Sequence, residues 1–316
     1  MHTRTFRIGA LILVAAGLLS RVDAQEPVAP AAAEREVIEA APTDRAVAIP
    51  KTKLASYFQS MDAKKQQTLR LLEGGKYSVN IRRITIPEPA RFHPSTMDLW
   101  VALDGPGMVT TGGRIDNGTI VGGTSHPIKP GDVEFVPAAI PHGMSPVDGG
   151  TITWMNIHWD SDWPAAAELG AGELPGRPGS GGGPARPPVD FAPTDRSVAI
   201  PREKMDGYRR EMATKNLGTL RMIEGGHFNV NLRRITEPSI ELHKVTIDTW
   251  VLLEGSGTVN TGFEMRDGKR VPGTGRTFRA AAGDVFFIPA NLSHGFSAVD
   301  GAVSWLNIRW DQNYGK

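Results

Sequence analysis

Short segments in which apolar and polar residues alternate recur along the chain and predict β-strands. Examples are "YSVNIRRITI" (77–86), "DLWVALDG" (98–105) and "GDVEFVPA" (131–138), which are rich in Val, Ile and Trp and are separated by Gly, Pro, Asn or Asp. Helical character is confined to the stretch that follows Lys51 and to its counterpart after Arg202. Many short strands with frequent turn signals are typical of an antiparallel sandwich or barrel.

The pattern occurs twice, which predicts two similar domains. "APTDRAVAIPKTKL" begins at Ala41 and "APTDRSVAIPREKM" begins at Ala192, 151 residues later. Likewise, "WMNIHWD" from Trp154 has the counterpart "WLNIRWD" from Trp305. A repeat of about 120 residues has the size of a small domain and is too long for a solenoid unit. The predicted domains are residues 42–160 and residues 192–316.

The segments outside the repeats differ in composition. Residues 1–24 combine a basic start, the apolar run Ile8–Leu19 and a small residue at Ala24, which is the pattern of a secretion signal peptide; the apolar run is too short to span a bilayer. Residues 25–41 predict a flexible leader, and residues 161–191, dense in Gly and Pro, predict an exposed linker. We expect a periplasmic or secreted protein without membrane attachment after cleavage; an uncleaved anchor is the alternative.

Charge and cysteine content exclude several classes of partner and ligand. The chain has 35 Lys and Arg against 34 Asp and Glu, a balance that offers no general attraction to nucleic acid or anionic lipid. It has no cysteine, and therefore no disulfide and no thiolate ligand. Any metal must be held by histidine, carboxylate, backbone or water. A small molecule is the expected partner.

Each repeat contains two motifs that carry histidine. In the first repeat, "RFHPSTMDLW" includes His93 and Asp98, and "GDVEFVPAAIPH" ends at His142. The corresponding residues of the second repeat are His243, Asp248 and His294. In these motifs the chain resembles the cupin superfamily, and the repeat makes it similar to a bicupin. The resemblance covers nearly all of residues 42–160 and 192–312 and implies an all-β fold of two tandem cupin-type jelly-roll β-barrels, each able to hold a metal.

The chain departs from the family pattern at two points. The first histidine of the family's pair is replaced by Arg91 and Glu241, and the carboxylate is Asp instead of the usual Glu. Residues two apart in a strand share a face, so position 91 points with His93. If "PSTM" forms a turn, His93 and Asp98 can face one lumen. Two imidazoles and a carboxylate with open positions suit a divalent transition metal: Fe, Mn, Zn or Ni.

The residues at positions 91 and 241 predict unequal metal sites. Arg91 would place a positive charge near a divalent cation, a repulsion of several kcal/mol at an effective dielectric of about 20, whereas Glu241 adds a negative charge. We therefore expect the second repeat to be the principal site, and Arg91 to turn outward or to hold a substrate carboxylate. In both repeats the alternative is a remnant of a lost site. The predicted metal ligands are Glu241, His243, Asp248 and His294, and, in the first repeat, His93, Asp98 and His142.

Other residues are candidates for substrate binding. Trp100 and Trp250 stand two residues past Asp98 and Asp248, on the same strand face, where they can stack on an aromatic or sugar ring or simply belong to the core. Alternation within each arginine pair sends one side chain inward, and Arg82 and Arg233 are then candidates to bind a ligand carboxylate or phosphate, or to pair with an internal acid.

The resemblance implies metal-dependent chemistry without fixing the reaction, because cupins include oxygenases, decarboxylases, isomerases, lyases and binding proteins. We expect an exported metal-dependent bicupin enzyme that acts on a carboxylate, a sugar derivative or a phenolic, with dioxygenase-type oxidation favoured. A lyase or isomerase with Glu241 as base is one alternative, and a non-catalytic binding protein is another. His158, which has Arg309 as its counterpart, is a candidate proton shuttle. Further oligomerisation is possible but not indicated, since a bicupin resembles a fused dimer.

Overall fold

In the computed structural model, residues 37–160 and 189–311 are described. The predicted signal peptide, most of the predicted leader and most of the predicted linker lie outside these residues. Within the two described ranges, neither α-helix is both long enough and apolar enough to cross a membrane.

The first repeat begins with two short strands and a helix, and all its later elements are strands. Its elements are β1 (Val37–Ala40), β2 (Val47–Ile49), α1 (Lys51–Lys64), β3 (Thr68–Glu73), β4 (Tyr77–Ile84), β5 (Thr96–Asp104), β6 (Gly107–Thr111), β7 (Arg114–Asp116), β8 (Thr119–Val121), β9 (Thr124–Ile128), β10 (Val133–Val136), β11 (His142–Pro146) and β12 (Ile152–Asp160). The helix lies where the sequence loses its strand alternation, as predicted.

The second repeat has the same order of elements. They are β13 (Asp190–Phe191), β14 (Val198–Ile200), α2 (Arg202–Thr214), β15 (Thr219–Glu224), β16 (Phe228–Ile235), β17 (Thr246–Glu254), β18 (Ser256–Thr261), β19 (Met265–Arg266), β20 (Lys269–Arg270), β21 (Arg276–Ala281), β22 (Val285–Ile288), β23 (His294–Val299) and β24 (Val303–Asp311). The match between the repeats therefore extends from sequence to secondary structure.

Each barrel combines a seven-stranded sheet with a three-stranded sheet. The strand orders are β1-β3-β4-β12-β5-β10-β14 with β11-β6-β9, and β13-β15-β16-β24-β17-β22-β2 with β21-β18-β23. Neighbouring strands are antiparallel except at the outer pairs β1 with β3 and β13 with β15. Two small hairpins, β7-β8 and β19-β20, form separate two-stranded sheets. The predicted all-β fold of two tandem jelly-roll barrels is confirmed.

The two repeats exchange a strand at the edge of each large sheet. Strand β2 of the first repeat pairs with β22 of the second, and β14 of the second pairs with β10 of the first. The helix that follows each exchanged strand also contacts the other repeat. At the start of α1, the backbone N–H of Lys51 donates to Asp284 (2.8 Å), and at the start of α2 the backbone N–H of Arg202 donates to Asp132 (2.7 Å). The repeats therefore form one compact unit.

An apolar layer between the two large sheets joins the barrels. Trp159 and Trp310 stack with their ring centroids 6.3 Å apart and their planes 1° from parallel. Phe228 lies against Trp159 (5.0 Å) and Tyr77 against Trp310 (5.2 Å), so equivalent residues of the two repeats meet across a pseudo-two-fold arrangement. Burial of these large rings provides a major apolar stabilisation of the pair of barrels.

Inside each barrel, alternation along β4, β5 and β12, or along their counterparts, directs a set of polar side chains to the interior. Cross-strand neighbours place Asn80 opposite Asn156, Arg82 opposite Trp154, and Asp98 opposite His158. The same strands of the second barrel place Asp248 opposite Arg309. The interior of each barrel therefore contains a polar region next to buried tryptophan side chains. The candidate site lies in this region.

Candidate metal centres

His93, Asp98 and His142 come together in the first barrel. One ligand atom from each side chain lies within 4.8 Å of the other two. Asp98 lies in β5 and His142 begins β11, while His93 lies in the preceding loop, where its carbonyl accepts a hydrogen bond from Ala139 N–H (2.7 Å). A bend at residues 94–95 separates His93 from β5. The side chains of His93 and Asp98 can therefore face the same barrel interior, as the sequence predicts.

Asp98 is buried and forms its ion pairs with imidazoles. Its Oδ1 lies 2.9 Å from His158 Nε2, and its Oδ2 lies 3.6 Å from His142 Nε2. Burial alone would raise the pKa of Asp98, but the charge and close contact of His158, followed by the other two imidazoles, outweigh it and lower the pKa. The carboxylate is therefore held in its ionised form, as a metal ligand requires.

The hydrogen bonding of His142 and the burial of His93 suit these side chains to bind a metal. His142 Nδ1 lies 2.8 Å from the carbonyl oxygen of Ile140 and donates its proton there, so Nε2 is the ring nitrogen that faces Asp98. Burial lowers the pKa of His93 to about 4, and the opposing attraction of Asp98 does not cancel that effect. A neutral imidazole with a free ring nitrogen is the form that binds a metal.

Glu241, His243 and His294 form the corresponding cluster of the second barrel. His243 Nε2 lies 3.2 Å from Glu241 Oε2, and His294 Nε2 lies 3.5 Å from Asp248 Oδ2. His294 Nδ1 faces the carbonyl of Leu292 (2.7 Å), which fixes the same tautomer as in His142. Burial lowers the pKa of His294, although Asp248 and Glu241 attract its protonated form. Three of the predicted ligands thus lie together, and the fourth, Asp248, lies 3.8 Å from His243 and 3.5 Å from His294.

Unsatisfied polar atoms show that the clusters fit a metal ion. Among the described residues, both carboxylate oxygens of Asp98 and of Asp248, and His294 Nε2, are buried without a hydrogen bond, because even the 2.9 Å contacts of the two carboxylates do not have hydrogen-bond geometry. Buried polar atoms are rarely left in this state. Two imidazoles with a carboxylate suit Fe, Mn, Zn or Ni. The residues therefore fit a divalent transition metal.

Arginine contacts both carboxylates of the second cluster. Arg309 Nε lies 2.9 Å from Asp248 Oδ1, and Arg233 forms an ion pair with Glu241. Burial alone would raise the pKa of Glu241, but Arg233 and the histidines lower it. The sequence had identified Arg309 only as the counterpart of His158. Alternation along "WLNIRW" from Trp305 is the signal that could have placed it inside the barrel.

The arginines of the first barrel are paired elsewhere. Glu88, whose side chain is 2% exposed, forms ion pairs with Arg82 and with Arg91, the latter at 3.1 Å. Arg82 also lies over the ring of Trp154, 5.6 Å from its centroid. Arg91 is close enough to His93 to contribute to its lowered pKa, but its guanidinium faces Glu88 and is partly exposed. Glu88 was missed because no motif marks it.

A cavity of about 270 Å³ adjoins the first cluster. Its lining includes Arg82, Arg91, His93, Trp100, His142 and His158. Trp100 and Trp250 both pack edge-on against the histidine of their own second motif, with ring centroids 5.5 Å apart in each case. Trp100 therefore forms part of the cavity wall, while Trp250 also packs on Trp305 in the second core. Arg233, the other predicted substrate ligand, lies over Trp305.

No known family profile matches this sequence, and no curated protein does. Solved structures do match. Salicylate 1,2-dioxygenase from Pseudaminobacter salicylatoxidans is 14% identical, with 86% of each chain covered and a TM-score of 0.56. A tryptophan-to-tyrosine mutant of that enzyme in complex with gentisate is 15% identical, covering 93% of this chain and 86% of the other, also at 0.56. Both are cupin proteins; this chain has the cupin fold in its two-barrel form.

Proposed function

We propose that this protein is an exported, metal-dependent bicupin oxidoreductase of the dioxygenase type that acts on an oxygen-rich small molecule. The observation that carries the proposal is the cluster of His93, Asp98 and His142, which has a buried carboxylate without a hydrogen bond and lies beside a cavity. A divalent metal held by these residues would supply a Lewis acid with open positions for substrate oxygens and dioxygen.

The surrounding residues would bind and orient the substrate. Arg82 and Arg91 both line the cavity and both pair with Glu88, so guanidinium groups that can bind a substrate carboxylate lie on this side. Trp100 and Trp154 offer an apolar wall for a ring. A volume of about 270 Å³ suits a molecule with one ring better than a larger one.

His158 is the proposed proton-holding residue of this site. Its Nε2 faces Asp98 at 2.9 Å, and its ring is part of the cavity lining, so it can hold or release a proton next to a bound substrate. The alternative of a lyase or isomerase with Glu241 as base has less support. Glu241 is paired with Arg233 and its pKa is lowered, which makes its carboxylate a weak base.

The structural neighbours direct the choice of first substrates. One acts on salicylate and the other was solved with gentisate, and both compounds are aromatic hydroxy acids that meet the requirements of the cavity. The pattern of residues 1–24 supports export to the periplasm or the medium. A small molecule remains the proposed partner.

The test combines metal analysis with oxygen uptake. Metal-free protein is loaded separately with Fe(II), Mn(II), Zn(II) and Ni(II), bound metal is counted, and oxygen consumption is followed with salicylate and with gentisate. We expect bound metal, and oxygen uptake equal to substrate loss with a redox-active ion only. His142→Ala should reduce both at least 100-fold. Turnover without oxygen uptake, or binding without turnover, would contradict the proposal.

A further inference from the structure

The two clusters are not equivalent, and we infer that the first barrel holds the functional metal because Arg309 occupies, in the second barrel, the position that His158 has in the first. This inference rests on the proposed function and specifies which site performs it. Arg309 is thereby assigned as the residue that compensates the charge of Asp248 in the second barrel.

His158 and Arg309 are equivalent in place and in contact. Each lies directly opposite the motif aspartate on the neighbouring strand, His158 opposite Asp98 and Arg309 opposite Asp248. Each approaches Oδ1 of that aspartate to 2.9 Å. The other oxygen, Oδ2, faces the histidine of β11 or β23 at 3.6 or 3.5 Å. The backbone therefore presents the same site twice, with a different cationic group in each.

The two groups differ in charge. An imidazole carries no permanent charge and can itself bind a metal, so no fixed cation compensates the negative charge of Asp98. A guanidinium keeps its charge at any pH a protein tolerates, so the charge of Asp248 is already compensated. A metal entering the second cluster would also meet Arg233, which is paired with Glu241. Each carboxylate near the second pair of histidines thus has a permanent cation beside it.

The arginines of the first barrel do not have this effect. Arg82 and Arg91 are paired with Glu88, which does not belong to the ligand triad. The predicted repulsion between Arg91 and a metal ion in the first barrel is therefore reduced. In the second barrel, the repulsion of a metal ion comes from Arg309, which lies on a different strand from the motif residues. The inferred preference for the first barrel as the metal site is the reverse of the preference for the second barrel that positions 91 and 241 alone predict.

The burial of Arg309 and the cavity beside His158 also favour the first barrel as the metal site. The side chain of Arg309 is 4% exposed, and among the described residues its Nε and one terminal nitrogen are buried without a hydrogen bond. The side chain of His158 is 22% exposed and borders the cavity of about 270 Å³. A ligand can therefore reach the first cluster beside the smaller histidine.

Metal titration of the full-length, metal-free protein with Co²⁺ tests the inference, with visible absorption and bound-metal analysis as readouts. We expect one tightly bound Co²⁺ per chain, lost in His93→Ala and retained in His243→Ala. His158→Arg should weaken binding at least 100-fold. Arg309→His should add a second Co²⁺, which the double variant with His243→Ala loses again. His158→Gln, which keeps the site uncharged, should stay within about tenfold of the unsubstituted chain.

The outcomes separate this inference from the proposed function. Co²⁺ lost in His243→Ala and retained in His93→Ala, or two ions bound with equal affinity, would overturn the inference while leaving a metal-dependent enzyme. Absence of bound metal in the unsubstituted chain would overturn both. If Arg309→His does not fold, Co²⁺ binding by His93→Ala, His243→Ala and His158→Arg still tests the inference, because these variants keep Arg309.

Discussion

The two barrels contain the same charged groups at their sites but connect them differently. The arginines and carboxylates compared at the two sites are Arg82, Arg91, Glu88 and Asp98 in the first, and Arg233, Arg309, Glu241 and Asp248 in the second. In the first, both arginines meet the carboxylate that lies outside the ligand triad. In the second, each arginine meets its own carboxylate. The two sites therefore have the same net charge from these groups and differ in how the charges are paired.

The largest expected difference concerns the two motif aspartates. In metal-free protein at pH 8, Asp248→Asn should lower the free energy of unfolding by about 3–5 kcal/mol, because it leaves the charge of Arg309 buried and unpaired. Asp98→Asn should cost about 1 kcal/mol or less, because an imidazole, unlike the guanidinium of Arg309, carries no permanent charge. Urea unfolding of both variants in the presence of chelator measures the difference.

A double variant provides the control for this comparison. Asp248→Asn combined with Arg309→Met replaces the uncompensated charge with an apolar side chain of similar length, and should recover most of the lost stability. Equal losses in the two single variants, or no recovery in the double variant, would show that the pairing of Arg309 with Asp248 does not distinguish the barrels.

Local pattern was sufficient to predict the fold but not the exchanged strands. Alternation and turn residues identify the strands, and the repeat identifies two barrels. The segments that become β2 and β14 share the sequence Val-Ala-Ile and nearly identical flanks, so each fits the edge of its own sheet as well as that of the other repeat. Which sheet it joins depends on the docking of whole barrels, a long-range property that no local pattern contains.

The ligands could be predicted from their motifs, whereas the electrostatics of the sites could not. His93, Asp98 and His142 follow a recognisable spacing, and the folded chain brings them together. The effect of Arg91 depends on Glu88, which lies three residues earlier in an irregular segment. The charge beside Asp248 comes from Arg309, 61 positions away in the sequence. Pairing of this kind requires the tertiary structure.

A smaller difference lies where each exchanged strand enters the other barrel. Thr111 shares a hydrogen bond of 2.8 Å with Ser197, whereas the equivalent Thr261 is buried without a partner among the described residues and faces a repeat with Ala46 at the position of Ser197. Ser197→Ala should therefore cost about 1–2 kcal/mol in the free energy of unfolding. Ala46→Ser should be neutral or stabilise by up to about 1 kcal/mol.

Thermal unfolding followed by circular dichroism is the measurement for this pair, with Ser197→Thr as a variant that keeps a hydroxyl. Opposite signs for Ser197→Ala and Ala46→Ser would confirm that the hydroxyl pair is a difference between the barrels. Destabilisation by both substitutions would show that the second barrel is packed around Ala46 and does not accept the added oxygen.

The smallest expected effect distinguishes Tyr77 from its counterpart Phe228 in the layer between the barrels. Burial raises the pKa of Tyr77 to about 12, above the value of about 10 in an unfolded chain. The folded state therefore keeps the proton longer, and this contribution, fully present below pH 10, is lost as the pH rises towards 12. Tyr77→Phe should remove this alkaline loss of stability, which after solvent screening is below about 1 kcal/mol.

Urea unfolding at pH 9 and pH 11 tests the expected effect of Tyr77→Phe. Phe228→Tyr is the matched variant and should enlarge the loss of stability. An unchanged difference between the two pH values in Tyr77→Phe would mean that the hydroxyl ionises as easily in the folded protein as in the unfolded chain.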